Sequence, residues 1–150
     1  MAKLKSLNRS EETGTIKKPI DGGKLIKDHG LEGDAHSGSE IKQVSLLDMS
    51  EIEKMERETG MNLKPGEFAE NLTSDGLNFE DVADIGTVIK IGEEAILEVS
   101  QIGKKCHDDC LIKEKTGYCI MPQKGIFFRV LKGGEIKPGD EITVEEQGES

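Results

Sequence analysis

The sequence predicts a mainly β protein organised as a meandering, partly closed sheet. Apolar residues come in short bursts rather than in helical stripes, 18 glycines are spread through 150 residues, and turn-forming residues separate the bursts. Glycine at that level, against a usual share of about 7%, implies a backbone that reverses often. The length fits a single domain, 1–150.

Taken in order, the bursts are Ile41 to Leu47, Val88 to Ile91, Ala95 to Ile102, Ile126 to Leu131 and Glu141 to Glu145. Alternation is clearest at the C-terminal end. Ile126, Phe128 and Val130 share one face against Phe127, Arg129 and Leu131, and Ile142 and Val144 fall between Glu141, Thr143 and Glu145. Gly92-Glu93-Glu94 separates two strands, Gly133-Gly134 ends another, and Pro138-Gly139-Asp140 precedes the last. One segment has helical chemistry. Ser50-x-x-Glu53 reads as a capping box opening a helix from Glu51 to about Thr59, with Ile52 and Met55 on one side and Gly60 at its C-terminal stop. That helix is expected to plug an end of the barrel-like sheet. The first 15 or so residues and the last five carry the least pattern.

Composition narrows the function classes. The 20 Lys and Arg against 30 Asp and Glu leave a net charge of −10, which disfavours a nucleic-acid binder because phosphate neutralisation needs a positive field. No apolar run approaches the roughly 18 residues that would span a bilayer, and the start Met1-Ala2-Lys3-Leu4-Lys5-Ser6 lacks the apolar stretch of a signal peptide. A cytoplasmic protein that binds neither nucleic acid nor membrane is expected. The cysteines Cys106, Cys110 and Cys119 are odd in number and cannot all pair within the chain. In a reducing compartment they act as thiols, ligands or nucleophiles, or pack as small apolar side chains.

Cys106 is the strongest nucleophile or soft-ligand candidate, because Lys104 and Lys105 precede it and neighbouring cations favour the thiolate. Cys106, His107, Cys110 and Cys119 also offer a Cys3His set for zinc or an iron–sulfur cluster. The Cys-x3-Cys and Cys-x8-Cys spacings differ from the usual Cys-x2-Cys knuckle, which makes zinc the weaker alternative. Upstream, Gly30 to Gly38 gathers three glycines with Asp34 and His36, a loop type able to bring backbone amides to an anion. Lys64 to Thr73 places Glu67, Glu70 and Asn71 after a Pro-Gly turn, where paired acids suit proton transfer if they face each other and an amide can orient a ligand.

Several stretches in order together resemble one family: Gly33-Asp34-Ala35-His36, Gln43-Val44-Ser45-Leu46-Leu47, Pro65-Gly66-Glu67-Phe68-Ala69-Glu70-Asn71-Leu72, Ile85-Gly86, the cysteine that follows Glu98-Val99-Ser100-Gln101, Gly125 to Leu131, and Gly139-Asp140. The chain is similar to MOSC domains, the family related to the C-terminal part of molybdenum-cofactor sulfurases, over roughly 14–146. The resemblance implies a closed or partly open β-barrel with a few short helices. It implies that Cys106 carries a sulfane sulfur or ligates molybdenum, and that the Gly33-Asp34-x-His36 and Glu70-Asn71 stretches help form a pocket for the molybdenum cofactor, with Arg129 a further candidate for its phosphate or pterin. Lys105 and Cys110 would assist Cys106 in sulfur transfer. A cysteine desulfurase, or enzymes that make or accept the cofactor, would be the partners. The chain would then work as a sulfur transferase, a cofactor or precursor carrier, or a cofactor-dependent partner protein. A non-enzymatic, metal-stabilised binding or adaptor module built on the Cys/His cluster is the alternative. The chain departs from the family pattern in having Lys105-Cys106 where many members have Pro-Cys, and Phe68-Ala69-Glu70-Asn71 where they often have Phe-Gly-Glu-Asn.

Overall fold

A computed structural model describes residues 2–10, 17–34, 43–60, 70–78, 82, 84–102 and 125–146. Among them are strands β1 (Ala2–Arg9), β2 (Lys18–Ile20), β3 (Gly23–Ile26), β4 (Gly30–Leu31), β5 (Val44–Asp48), β6 (Leu72–Asp75), β7 (Val88–Ile91), β8 (Ala95–Ile102), β9 (Ile126–Lys132), β10 (Gly134–Ile136) and β11 (Glu141–Glu146), with helix α1 (Met49–Thr59) between β5 and β6. The predicted bursts at 88–91 and 95–102 are strands over those same residues. No described helix is long and apolar enough to cross a membrane.

Seven strands close on themselves in the order β11, β7, β8, β9, β5, β6, β1, with β1 pairing back to β11 and β2 lying on the free part of β1's edge. An odd number of strands cannot alternate in direction all the way round. One neighbouring pair must be parallel, and it is β5 with β6, Leu46 facing Leu72 and Asp48 facing Ser74. Parallel neighbours need a long crossover, and α1 lies in it. Strands β10, β3 and β4 form a separate small sheet.

The barrel interior is filled by alternate residues of the closing strands, among them Leu46, Leu72, Ile89, Leu97, Phe128 and Val130, all buried. Each such side chain contributes about 1.5–3 kcal/mol on burial. Bulges interrupt the alternation where strands must coil to close. The one between Leu4 and Ser6 in β1 puts Leu4 and Leu7, three residues apart, both inside.

The helix differs from expectation in two ways. Its N-cap is Asp48, with Ser50 inside the first turn: the Asp48 carboxylate accepts from the Ser50 amide at 3.1 Å and the Ser50 hydroxyl at 2.7 Å. A carboxylate at the end of β5 is the stronger acceptor and also favours the helix's positive end. Nor does α1 plug a barrel end. It packs against β5 and β6, and its buried Ile52 and Met55 stand outside the interior cluster together with Leu47 and Phe127, the outward-pointing alternates of β5 and β9. The helix therefore covers the outer wall beside the parallel pair. Gly60 ends it, its amide donating to the Glu56 carbonyl at 2.8 Å.

Candidate functional site

Asp34 closes a turn in which its amide donates to the Leu31 carbonyl at 3.1 Å. Gly33 within that turn has φ +82°, and a Cβ there would lie 3.4 Å from the Arg9 guanidinium in a backbone region that L side chains rarely adopt. The Asp34 carboxylate is buried. Its Oδ1 accepts from Lys17 Nζ at 2.7 Å and from the Ser10 amide at 3.1 Å, while Lys17 Nζ also donates to Ser10 Oγ at 3.1 Å. Both charged side chains are 0% exposed. Three pieces of chain thus meet at one carboxylate: the end of β1, the approach to β2 and the Leu31–Asp34 turn.

Glu70 and Asn71 enter β6 and are fully buried. Asn71 Oδ1 accepts from the amide and hydroxyl of Ser45, and its Nδ2 donates to the Asn8 carbonyl at 3.2 Å. Its backbone continues the same stitching, with the Asn8 amide donating to the Asn71 carbonyl at 2.7 Å and the Asn71 amide to the Ser45 carbonyl at 3.1 Å. Glu70 Oε2 accepts from Thr73 Oγ1 at 2.8 Å, and Asn8 Nδ2 donates to both Thr73 Oγ1 and the Glu70 carbonyl. These residues form a buried polar seam joining β1, β6 and β5.

Strand register connects this seam to the segment that bears the cysteines. Ser45 pairs with Phe127, and Phe127 with Gln101, so Asn8, Asn71, Ser45, Phe127 and Gln101 lie on one hydrogen-bonded belt. The 103–124 segment leaves one residue past that belt, at the paired Ile102 and Ile126. Cys106, Cys110, Cys119, Lys105 and His107 lie outside the described residues, as do His36 and Glu67. Among the described residues no group of three or more His, Cys, Asp or Glu side chains is arranged to hold a metal ion.

Arg129 is elsewhere. It alternates with the inward Phe128 and Val130, is about half exposed, and pairs with Asp28 at 3.0 Å on the outer wall. A cleft of about 910 Å3 opens beside the Gly33 turn, walled by the β2–β3 and β7–β8 turns and by β10. Its lining carries six carboxylates against three cations, Arg9, Lys24 and Lys137, so it does not suit a phosphate-bearing ligand.

Sequence reasoning did not single out Lys17, Asn8, Thr73 or Asp48. Each is a polar residue whose importance comes from a partner distant in sequence; Asn8 and Thr73 are 65 residues apart. A lysine beside another lysine, Lys17-Lys18, carries no local signal of burial.

A closed seven-stranded barrel, with a parallel crossover and a buried polar seam next to the root of a cysteine-bearing segment, is the class of protein described here. The MOSC domain family model matches residues 33–143, and the chain belongs to that family, which is associated with the molybdenum cofactor. It is 30% identical over 152 aligned positions to YflK of Bacillus subtilis (strain 168), an uncharacterized protein, covering 92% of this chain and 66% of that one. The chain therefore spans just under two thirds of that relative's length. Among solved structures, YuaD of Bacillus subtilis superimposes with TM-score 0.78 at 18% identity, over 94% of this chain and 93% of that one. YiiM of Geobacillus stearothermophilus does so with TM-score 0.77 at 25% identity, over 97% and 76%.

Proposed function

We propose that this chain binds the molybdenum cofactor or a precursor of it, or delivers sulfur to it, with Cys106 as the reacting thiolate. The observation that carries the reading is the family match over 33–143, which contains Cys106 behind two lysines. Register adds reach. Asn71 and Gln101 are separated by about 14 Å across three strand spacings, and Cys106 stands four residues past Ile102, a span of up to roughly 13 Å of chain.

In the sulfur-carrier branch the Cys106 thiolate attacks the terminal sulfur of a donor persulfide, such as that of a cysteine desulfurase. The new S–S bond forms on Cys106 as the donor's S–S bond breaks and its thiolate leaves. Lys105 stabilises the Cys106 thiolate beforehand. If Cys110 then attacks Cys106 Sγ, a Cys106–Cys110 disulfide forms and hydrosulfide is released to the acceptor. In the cofactor branch, the bound cofactor supplies a molybdenum centre open to a thiolate ligand. This chain's part is to present Cys106; at the Gly33 turn the Glu32 and Asp34 amides already donate to the Lys24 and Leu31 carbonyls, and the Arg9 guanidinium packs against Gly33. Glu70 and Asn71 underlie the site as framework, their described polar contacts being made within the barrel wall.

Mass spectrometry of the intact, anaerobically purified protein, before and after incubation with a desulfurase and cysteine, tests both branches. A 32-Da sulfur adduct (roughly, per persulfide formed) or a pterin-sized adduct is expected in the wild type and absent in Cys106→Ser. Equal adducts on both proteins would refute the role of Cys106. Stoichiometric zinc on both, with unfolding on chelation, would instead favour the metal-stabilised module.

A further inference from the structure

We propose that the Asp21-Gly22 bond, in the turn between β2 and β3, is a spontaneous modification site at which aspartate converts to isoaspartate and loosens the small β10–β3–β4 sheet. The inference goes beyond the functional reading above and does not rest on it. The chain has two Asp-Gly bonds, Asp21-Gly22 and Asp75-Gly76, and the fold sets them apart.

The reaction needs only water. The Gly22 amide nitrogen attacks Asp21 Cγ, an N–Cγ bond forms, and the carboxyl hydroxyl leaves as water with the amide proton, closing a five-membered succinimide. Water then opens the ring. Breaking the N–Cγ bond returns aspartate, whereas breaking the original backbone C–N bond leaves the peptide running through Cβ and Cγ with the α-carboxylate free. One water leaves, one enters, and the charge is unchanged. A following glycine favours closure because it has no Cβ to obstruct its amide and its backbone turns freely.

All four residues are exposed, so backbone freedom is what separates the two bonds. Asp21 and Gly22 lie outside both ladders, β2 ending at Ile20 and β3 beginning at Gly23. Asp75 is the last residue of β6 and pairs with Lys3 of β1, so ring closure there first requires that end of the ladder to open. The product at Asp21 carries one extra backbone atom, about 1.5 Å of chain, in a connection of two residues. Ile20 is held opposite Leu7, and Gly23 opposite Ile136. Gly23 also lies tight on the core, where a Cβ would meet Leu31 Cδ1 at 2.8 Å and Leu7 Cδ2 at 3.1 Å. The added length is therefore taken up by unpairing the start of β3 from β10, while the barrel stays closed.

The test ages full-length wild type, Asp21→Glu and Gly22→Ala at physiological temperature and neutral pH. Isoaspartate is located by peptide mapping and by methyl transfer from labelled S-adenosylmethionine with an isoaspartate-specific O-methyltransferase, and amide hydrogen exchange is followed over residues 23–26 and 134–136. Glutamate keeps the charge but would have to close a six-membered ring. Gly22→Ala should fold normally, since its Cβ would stand 3.5 Å from the Ile136 carbonyl oxygen, an ordinary contact. Folded wild type should gain isoaspartate at Asp21 roughly tenfold faster than at Asp75, equivalent to about 1.4 kcal/mol of ladder opening. In urea the two rates should converge. Asp21→Glu should lose the signal at that position, Gly22→Ala should slow it severalfold, and exchange over 23–26 should rise in aged wild type but not in aged Asp21→Glu. Absence of isoaspartate at Asp21, or equal rates at Asp21 and Asp75 in the folded protein, would overturn the site. Unchanged exchange in converted protein would overturn the loosening of the sheet.

Discussion

Asp48 shows how much one side chain can hold. Its Oδ2 caps α1, while its Oδ1 accepts from Ser74 Oγ at 2.6 Å and the Leu77 amide at 3.0 Å. Replacing it by alanine removes a cap worth about 1 kcal/mol and strips two further donors of their acceptor at about 1–3 kcal/mol each if they stay dry. Asp48→Ala should therefore lower unfolding stability by roughly 3–7 kcal/mol in urea titration, with Asp48→Asn recovering the cap portion; a loss near zero would mean that water or a neighbour replaces the carboxylate. Asn71→Ala leaves the Ser45 amide and the Asn8 carbonyl without their side-chain partner and should cost on the order of 2–4 kcal/mol. Arg129 behaves oppositely. Its pair with Asp28 is about half exposed, so Arg129→Ala should move stability by less than about 1 kcal/mol, and any loss of pterin binding in that variant would report directly on function.

At the scale of elements, α1 was legible because its signals are local: Ile52 and Met55 three apart, acids and bases around them, and Gly60 at the stop. Its cap lies two residues before the Ser50 that the capping box predicts, because Ser50 and Asp48 are both good caps and Asp48 is fixed by Ser74 and Leu77, which arrive from β6 and beyond. Ile52→Ala should cost about 2–5 kcal/mol, since Ile52 is fully buried against the outer wall. The prediction is checked by the same urea titration, and a cost below about 1 kcal/mol would mean that the helix contributes little to the cooperative unit. β7 and β8 were legible through alternation and the Gly92 turn. β1 was not, because its bulge breaks the period of two and places Leu4 and Leu7 on one face. β6, Leu-Thr-Ser-Asp, has no apolar pattern; hydrogen bonds hold Thr73 and Ser74 in the dry.

For the whole molecule, β1 is the closing strand. It pairs with β6 on one edge and with β11 and β2 on the other, so it joins the two ends of an otherwise open sheet. Removing residues 1–9 should open both neighbouring strands, abolish cooperative unfolding and expose apolar surface to a dye such as ANS. A truncated chain that still melts in one sharp transition would mean that the other six barrel strands form a stable sheet without closure. Closure also explains why the parallel β5–β6 pair exists. With seven strands it is a requirement of parity, and the crossover that satisfies it brings Asn71 alongside Ser45.

The amino-acid sequence by itself determined the class, because short apolar bursts between glycine-rich turns leave little alternative to a meandering sheet, and the ordered motifs from Gly33 to Asp140 identify the family without any contact being known. It also singled out Cys106 as the candidate thiol, on the two lysines that precede it. Only the tertiary structure decided which partners the polar residues take. Asn71, Glu70 and Asp34, candidate site residues by sequence, are buried and bond Ser45, Thr73 and Lys17. The reason is physical: a buried polar group takes its role from its partner, and these partners are brought by strands that meet only when the barrel closes.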